Sequence, residues 1–377
     1  MKSRICDMLG IEFPLLAFSH CRDVVVAVSK AGGMGVFGAV SLSPEKLKEE
    51  LNWIDDHVDG MPYGIDLIVP NKFEGKGKEI SSDQILNAIP QGHRDFAKGI
   101  LADYNIDVDG LDDISEGAKQ FRKSLSDEGA ATSLEVAFEH PIKLVANALG
   151  VPPKVMLDMG KKHNVAVAAL VGAKEHAIKQ VEAGVDILIA SGGEAGGHCG
   201  DVSTMVLIPE VYKAIQEIKD VPILAAGGIT TGSQMAAAMS MGASGAWCGS
   251  VWLTTSEAET NPVVKEKMLA ASSRDTVRSK SRTGKNSRQL RSPWTDAWEN
   301  KGPEPLPMPL QSLVSEPALK KIDKLSQGGH EGAKELATYW VGQGVGLMND
   351  TMSSGAVVQE FKEEFAEAYE RLSNYLS

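Results

Sequence analysis

The chain has 377 residues, 43% hydrophobic and 23% charged, with a formal net charge of −12. That length suits two domains, or one α/β barrel of about 250 residues with additions, and the ordinary charge content excludes wholesale disorder. The acidic balance sets aside nucleic acid and anionic membrane surfaces as partners, since both would repel it.

No apolar run reaches the roughly 18 residues of a membrane span, and Met1–Gly10 lacks the apolar core of a secretory leader. Cys6, Cys21, Cys199 and Cys248 form no CxxC pair and no metal-ligand spacing. The expectation is a cytoplasmic protein without a metal. Its 38 glycines are about a tenth of the chain, above the usual ~7%, and an excess of this kind marks tight loops or backbone lying close to a ligand.

In chain order, short apolar runs alternate with helical stretches from Phe13 to Leu253, the rhythm of parallel βα units. Eight strands are expected: Pro14–Phe18, Met34–Val40, Tyr63–Val69, Ile142–Ala148, Val165–Val171, Asp186–Ser191, Pro222–Ala226 and Gly245–Val251. Several are apolar without alternation, as strands covered on both faces should be. The fold class is therefore α/β, a (β/α)8 TIM barrel over residues 1–254. Residues 255–377 form a helical C-terminal extension packing on it.

Gly33–Gly38 matches GxGxxG literally. The dinucleotide fingerprint needs a strand before the glycines and a helix after them, whereas here Asp23–Lys30 reads as helix and Val36–Val40 as strand. The motif is read as a helix-to-strand turn, with Gly32 and Gly33 at positive φ.

Some 70 residues separate the third and fourth strands. Asn71–Asp113 is a polar insertion and Ile114–His140 reads as helix, broken near Gly129. A lid, a substrate wall and a dimer contact rank equally as its role, so a homodimer is among the possible assemblies. After Thr254, Ser256–Ser272 reads as helix. Arg274–Arg291 carries seven basic residues and reads as a solvated loop, with steering of a phosphorylated substrate as the rival reading. Gly302–Leu310 has four prolines and cannot be regular. Glu331–Leu347 and Ala356–Leu376 read as the last helices.

The chemistry concentrates at strand ends. The sixth strand runs into Ser191–Gly200, a loop with five glycines and His198, whose imidazole can exchange a proton at neutral pH. Cys199 beside it is not read as a nucleophile paired with it, because adjacent side chains tend to point apart. The seventh strand ends at Ala226-Gly227-Gly228 and the eighth at Gly249-Ser250. In barrels these two loops form the usual phosphate site. FMN, a sugar phosphate and a nucleotide all remain open at this point. His20, at the end of the first strand, is a candidate for the substrate pocket.

These residues resemble the nitronate monooxygenase family of FMN-dependent TIM barrels, which also includes enoyl-acyl-carrier-protein and quinone reductases. The likeness rests on Phe13–Phe18, Ser29–Gly35, Glu194–His198, Ala226–Ile229 with Gly249-Ser250, and Thr283–Arg288, which is similar to a TGRxxR segment; Tyr339–Gly346 is a weaker match. The resemblance implies FMN across the barrel mouth, its phosphate on Gly227, Gly228, Gly249 and Ser250 beside Ala226. The ring would lie near Ala17, Phe18 and Ser19 and near Ala195, Gly196 and Gly197. His198 would be the catalytic and substrate-binding histidine, with His20 beside the substrate. A small-molecule nitroalkane or nitronate, oxidised with molecular oxygen, is the implied substrate. The alternatives are an NAD(P)H-dependent flavin reductase of enoyl thioesters or quinones, and a barrel that binds flavin without catalysis. Phe18-Ser19-His20-Cys21 and Cys199 depart from the family's usual residues, which a subfamily with a bulkier carbonyl or acyl-CoA substrate would tolerate.

Overall fold

In a computed structural model that describes residues 1–40, 42–69, 88–111 and 127–375, all eight expected strands form. They are β1 (Leu15–Ser19), β2 (Met34–Gly38), β3 (Gly64–Leu67), β4 (Leu144–Asn147), β5 (Ala166–Val171), β6 (Ile187–Ser191), β8 (Ile223–Ala226) and β9 (Gly245–Cys248). The short strand β7 (Gly197–His198) lies outside the barrel. Each barrel strand pairs in parallel with the next, and Leu16 opposite Trp247 joins β1 to β9 and closes the ring. No helix among the described residues is long and apolar enough to cross a membrane.

Strand alternation sends one set of side chains inward. Leu16, Met34, Val36, Leu144, Ala168, Ile189, Leu224 and Trp247 fill the barrel. The first helix, α1 (Arg4–Leu9), adds Ile5, Cys6 and Leu9 to the same cluster and plugs one end. Outward-facing residues pack under the surrounding helices α2 (Arg22–Lys30), α3 (Pro44–His57) and their successors. Local chemistry sets several boundaries. Ser43 caps the amide of Lys46 ahead of Pro44, and Gly184 ends a helix at φ 99°; both are the residue types these positions favour. Of the two glycines expected at positive φ, Gly32 is (94°) and Gly33 is not. Gly33 is needed for space instead, since a Cβ there would lie 2.8 Å from the Leu15 carbonyl oxygen.

The insertion and tail differ from the sequence reading. Residues 70–87 and 112–126 lie outside the described set, and with them much of the expectations for Asn71–Asp113 and Ile114–His140. The described part of the polar insertion contains a helix, α4 (Gln91–Asp103), whose Ala97, Ile100 and Leu101 pack with Trp294, Trp298, Val314 and Leu319 of the tail. Helix α5 (Asp127–Phe138) runs through Gly129 without a break. Ser256–Ser272 contracts to a helix at Pro262–Ala270, fixed by Asn261 capping Val263. Leu310–Gln327 is a helix that the sequence reading passed over.

Glu331–Leu347 is helical only to Leu336 before a 3-10 turn at Gln343–Leu347. The basic stretch is not a solvated loop. It forms β10 (Thr276–Ser279) and β11 (Ser287–Leu290), and β11 pairs with β7. The last helix, Ser354–Ser373, packs on the helix Gly232–Ser240 and on α2, with Phe361 fully buried in the main outer cluster.

Candidate active site

The loops expected to carry chemistry meet at the C-terminal mouth of the barrel. Beyond β6, Gly192 turns back so that its amide donates to the Ala226 carbonyl. Glu194 accepts from the amide (2.9 Å) and hydroxyl (2.9 Å) of Thr204, capping the helix Thr204–Gln216. The same hydroxyl lies 2.9 Å from the Gly227 carbonyl oxygen, so its one proton is shared between the two acceptors. The His198 loop and the Gly227–Gly228 loop are thus tied through Glu194 and Thr204. Close packing requires the glycines: a Cβ on Gly228 would sit 3.0 Å from that of Glu194.

His198 is held by the tail. Strand β11 pairs Ser287 with His198 and Arg288 with Gly197. The Arg288 guanidinium donates to the Gly193 carbonyl and to Thr276. Thr283 Oγ1 lies 2.8 Å from His198 Nε2. The ring is crowded by protein yet open to the mouth. Burial first, then the positive charges of Lys285 and Arg282, push its pKa down to about 4. The imidazole is therefore neutral at neutral pH. Arg282 is itself buried, paired with Glu316 at 2.8 Å and stacked 3.9 Å over the Trp340 ring. Burial raises the Cys199 thiol against the pull of Arg288 and Arg278, which keeps it protonated at neutral pH and inert as a nucleophile.

The second cluster is a set of free amides. Gly227 and Gly228 have φ of 101° and 71°, and among the described residues the backbone N–H groups of Gly227, Gly228, Gly249 and Ser250 donate to nothing. Gly249 leads into a 3-10 turn at Ser250–Thr254, and space opens where its side chain would be. Unpaired N–H groups on glycine-rich turns suit an anion. The Ser250 hydroxyl accepts from Gly342 N at 2.9 Å, leaving its own proton to donate.

Across the mouth, Phe18 stacks on Trp247 at 6.1 Å and meets His20 edge-on. His20 Nδ1 lies 2.7 Å from the Gly38 carbonyl oxygen. Burial pushes the pKa of this ring down, partly offset by that bond. Ala17 is buried in β1, whereas Ser19 is half-exposed and accepts from Cys21 N. Ala195 is buried, and Gly196 packs on the backbone of Val341 and Gly342.

Three contributors have no assigned role in the sequence reading, although Val341–Gly344 lies within the weaker match Tyr339–Gly346. Val341–Gly344 bridges the loops: Gly342 bonds Ser250, Gln343 N donates to the Glu194 carbonyl, and Gly344 packs on Gly228 and Thr230. Its glycines at 342, 344 and 346 were the available signal. Thr283 stood in a noted motif without a role. Asp66 shares the inward face of β3 with Gly64, opposite Gly38 and Ala146. It is 2% exposed and its Oδ1 has no partner among the described residues, and burial lifts its pKa well above the ordinary carboxylate value. A lone Asp inside a short apolar strand was its only trace.

Comparison with known proteins agrees with this architecture. The family model described as nitronate monooxygenase matches residues 2–364. The monooxygenase candidate Rv1533 of Mycobacterium tuberculosis is 49% identical over 375 residues, 99% of this chain and 98% of that protein. FabK of Thermotoga maritima superposes with a TM-score of 0.71 and 26% identity, covering 100% of this chain and 99% of that one. A nitroalkane oxidase of Streptomyces ansochromogenes shares the fold with a TM-score of 0.79 at 22% identity, over 98% of this chain and 99% of the other.

Proposed function

This chain belongs to the nitronate monooxygenase family and is an FMN-dependent oxidoreductase, and we propose that it oxidises nitroalkanes or nitronates with His198 as the base. The residues at the mouth fit the cofactor. The amides of Gly227, Gly228, Gly249 and Ser250, with the Ser250 hydroxyl, would hold the phosphate dianion. The backbone of Ala195–Gly197 and of Ala17–Ser19 would flank the ring, with Ala226 at the foot of the phosphate loop. When bound, FMN supplies a two-electron acceptor that molecular oxygen can reoxidise.

The observation that carries this reading is a neutral histidine fixed at the rim of the same loop system as the free amides. A neutral imidazole can accept the proton α to a nitro group. The C–H electron pair then stays on the substrate as a nitronate, whose negative charge the nearby Lys285 ammonium would stabilise. His20 and Phe18 would form the opposite wall of the substrate space.

A second reading is favoured by Lys285, which is exposed and has no ion-pair partner among the described residues. A free cation at the rim also suits the phosphates of NAD(P)H or of a CoA thioester, as a reductase would need. Anaerobic spectra of the FMN-loaded protein separate the two. Bleaching by a nitronate, with NAD(P)H inert, supports the monooxygenase. Bleaching by NAD(P)H, with nitronate inert, assigns the reductase. Silence towards both would mean that the barrel binds flavin without this chemistry.

A further inference from the structure

Thr283 is 5% exposed, so its hydroxyl bonds are made with protein. Its Oγ1 lies 2.8 Å from His198 Nε2, 3.2 Å from the Lys285 carbonyl oxygen and 3.3 Å from the Lys285 amide nitrogen. A hydroxyl has one proton and two lone pairs. The Lys285 amide can only donate and its carbonyl can only accept. If the Thr283 proton goes to that carbonyl, the two lone pairs accept from the Lys285 amide and from His198 Nε2–H, and all three partners of the hydroxyl are matched. If the proton goes to Nε2 instead, the carbonyl loses this donor. The ring proton then moves to Nδ1, which has no acceptor among the described residues. The first arrangement gives all three partners of the buried hydroxyl a complementary bond, whereas the second sets its lone pair against the Lys285 carbonyl.

We propose that Thr283 is a positioning residue that holds His198 as its Nε2–H tautomer, which makes Nδ1 the atom that takes the substrate proton. The inference rests on the reading of His198 as base and names the atom involved. In the step, the substrate C–H bond breaks and an N–H bond forms at Nδ1, while the electron pair stays on the substrate carbon and spreads into the nitro group. The ring becomes an imidazolium, and its Nε2–H bond to Thr283 strengthens because the donor now carries charge. The pairing of Ser287 with His198 holds the backbone during the change.

The test is 15N–1H correlation spectroscopy of the FMN-loaded, 15N-histidine-labelled protein, with the His198 signals identified by their loss in His198→Asn. The expected wild-type pattern at pH 7 is a protonated Nε2 and a bare Nδ1. Thr283→Ser should keep it, together with near-normal turnover. Thr283→Val should mix the tautomers and lower kcat roughly 10- to 100-fold, in the usual range for a lost orienting partner, with little change in KM. A protonated Nδ1 in the wild-type spectra would overturn the inference. So would a Thr283→Val protein with unchanged tautomer and kcat. Full turnover by His198→Ala would instead remove the base reading, a failure distinct from the wrong tautomer.

Discussion

Arg288 donates Nε at 3.0 Å and Nη2 at 2.8 Å to the carbonyl oxygen of Gly193, so a residue from the tail clamps the loop that carries His198. The fork reaches one oxygen with two N–H groups while its third nitrogen holds Thr276. Lysine cannot reproduce that geometry from a point charge. Arg288→Lys should therefore lower turnover about tenfold or more, and also lower stability by ~1.5–3 kcal/mol, the range for charge-assisted bonds. Steady-state kinetics beside thermal melts checks both, and wild-type turnover would show that the clamp does not matter to the loop.

The anion cradle gives a contrast between two glycines. A Cβ on Gly249 would have only Phe18 Cδ1 nearby, at 3.8 Å. Gly249→Ala should leave the apoprotein's melting temperature in place and weaken FMN binding roughly tenfold, about 1.4 kcal/mol, by intruding on the phosphate space. Gly228→Ala, at φ 71° and against Glu194, should destabilise the apoprotein as well, by ~1–3 kcal/mol. Flavin fluorescence titration and apo melts read the two effects separately.

The depressed His198 pKa sets a pH profile. A base is active when unprotonated, so the acid limb of kcat/KM should fall well below the ordinary histidine value of 6.5, towards about 4. Activity attributable to this group should be level from pH 6 to 8. An acid limb centred near 6.5 would mean that burial, Lys285 and Arg282 do not act on the ring as described. His198→Ala should cost ~10²–10⁴ in kcat on a nitroalkane, the usual contribution of a general base, measured as oxygen uptake.

Asp66 makes stability depend on pH in the opposite sense to a salt-bridged carboxylate. Its folded pKa is raised by burial, so above the ordinary carboxylate value the folded state binds the proton more tightly than the unfolded chain. Stability is full below that value and falls as pH rises towards the folded pKa. Asp66→Asn removes the dependence and should gain stability over wild type progressively from about pH 4 to 8. Urea unfolding at pH 4, 6 and 8 tests this. Parallel pH trends in the two proteins would show that Asp66 is not held neutral.

The catalytic candidates were legible because each belongs to a local pattern. Eight apolar runs at βα spacing announced the barrel, and glycines at the ends of β6, β8 and β9 announced the loops at its mouth. The role of the tail was not legible. Arg274–Arg291 has the composition of a solvated loop, yet Arg282 is buried by Glu316 and Trp340, 34 and 58 residues further along. The helix Gln91–Asp103 was missed because its apolar face is short and its partners, Trp294, Trp298, Val314 and Leu319, lie roughly 200 residues further along.

By itself the sequence determined the barrel and its order of strands, since hydrophobic periodicity and turn glycines act within a few residues. It also singled out His198 and the four amide-bearing residues. Only the tertiary structure decided what holds that histidine. Thr283 and Arg288 reach it through β11, and Val341–Gly344 joins its loop to Ser250. Hydrogen bonds between residues 85 or more positions apart leave no periodic mark on a chain, because their partners are chosen by where the folded backbone brings them.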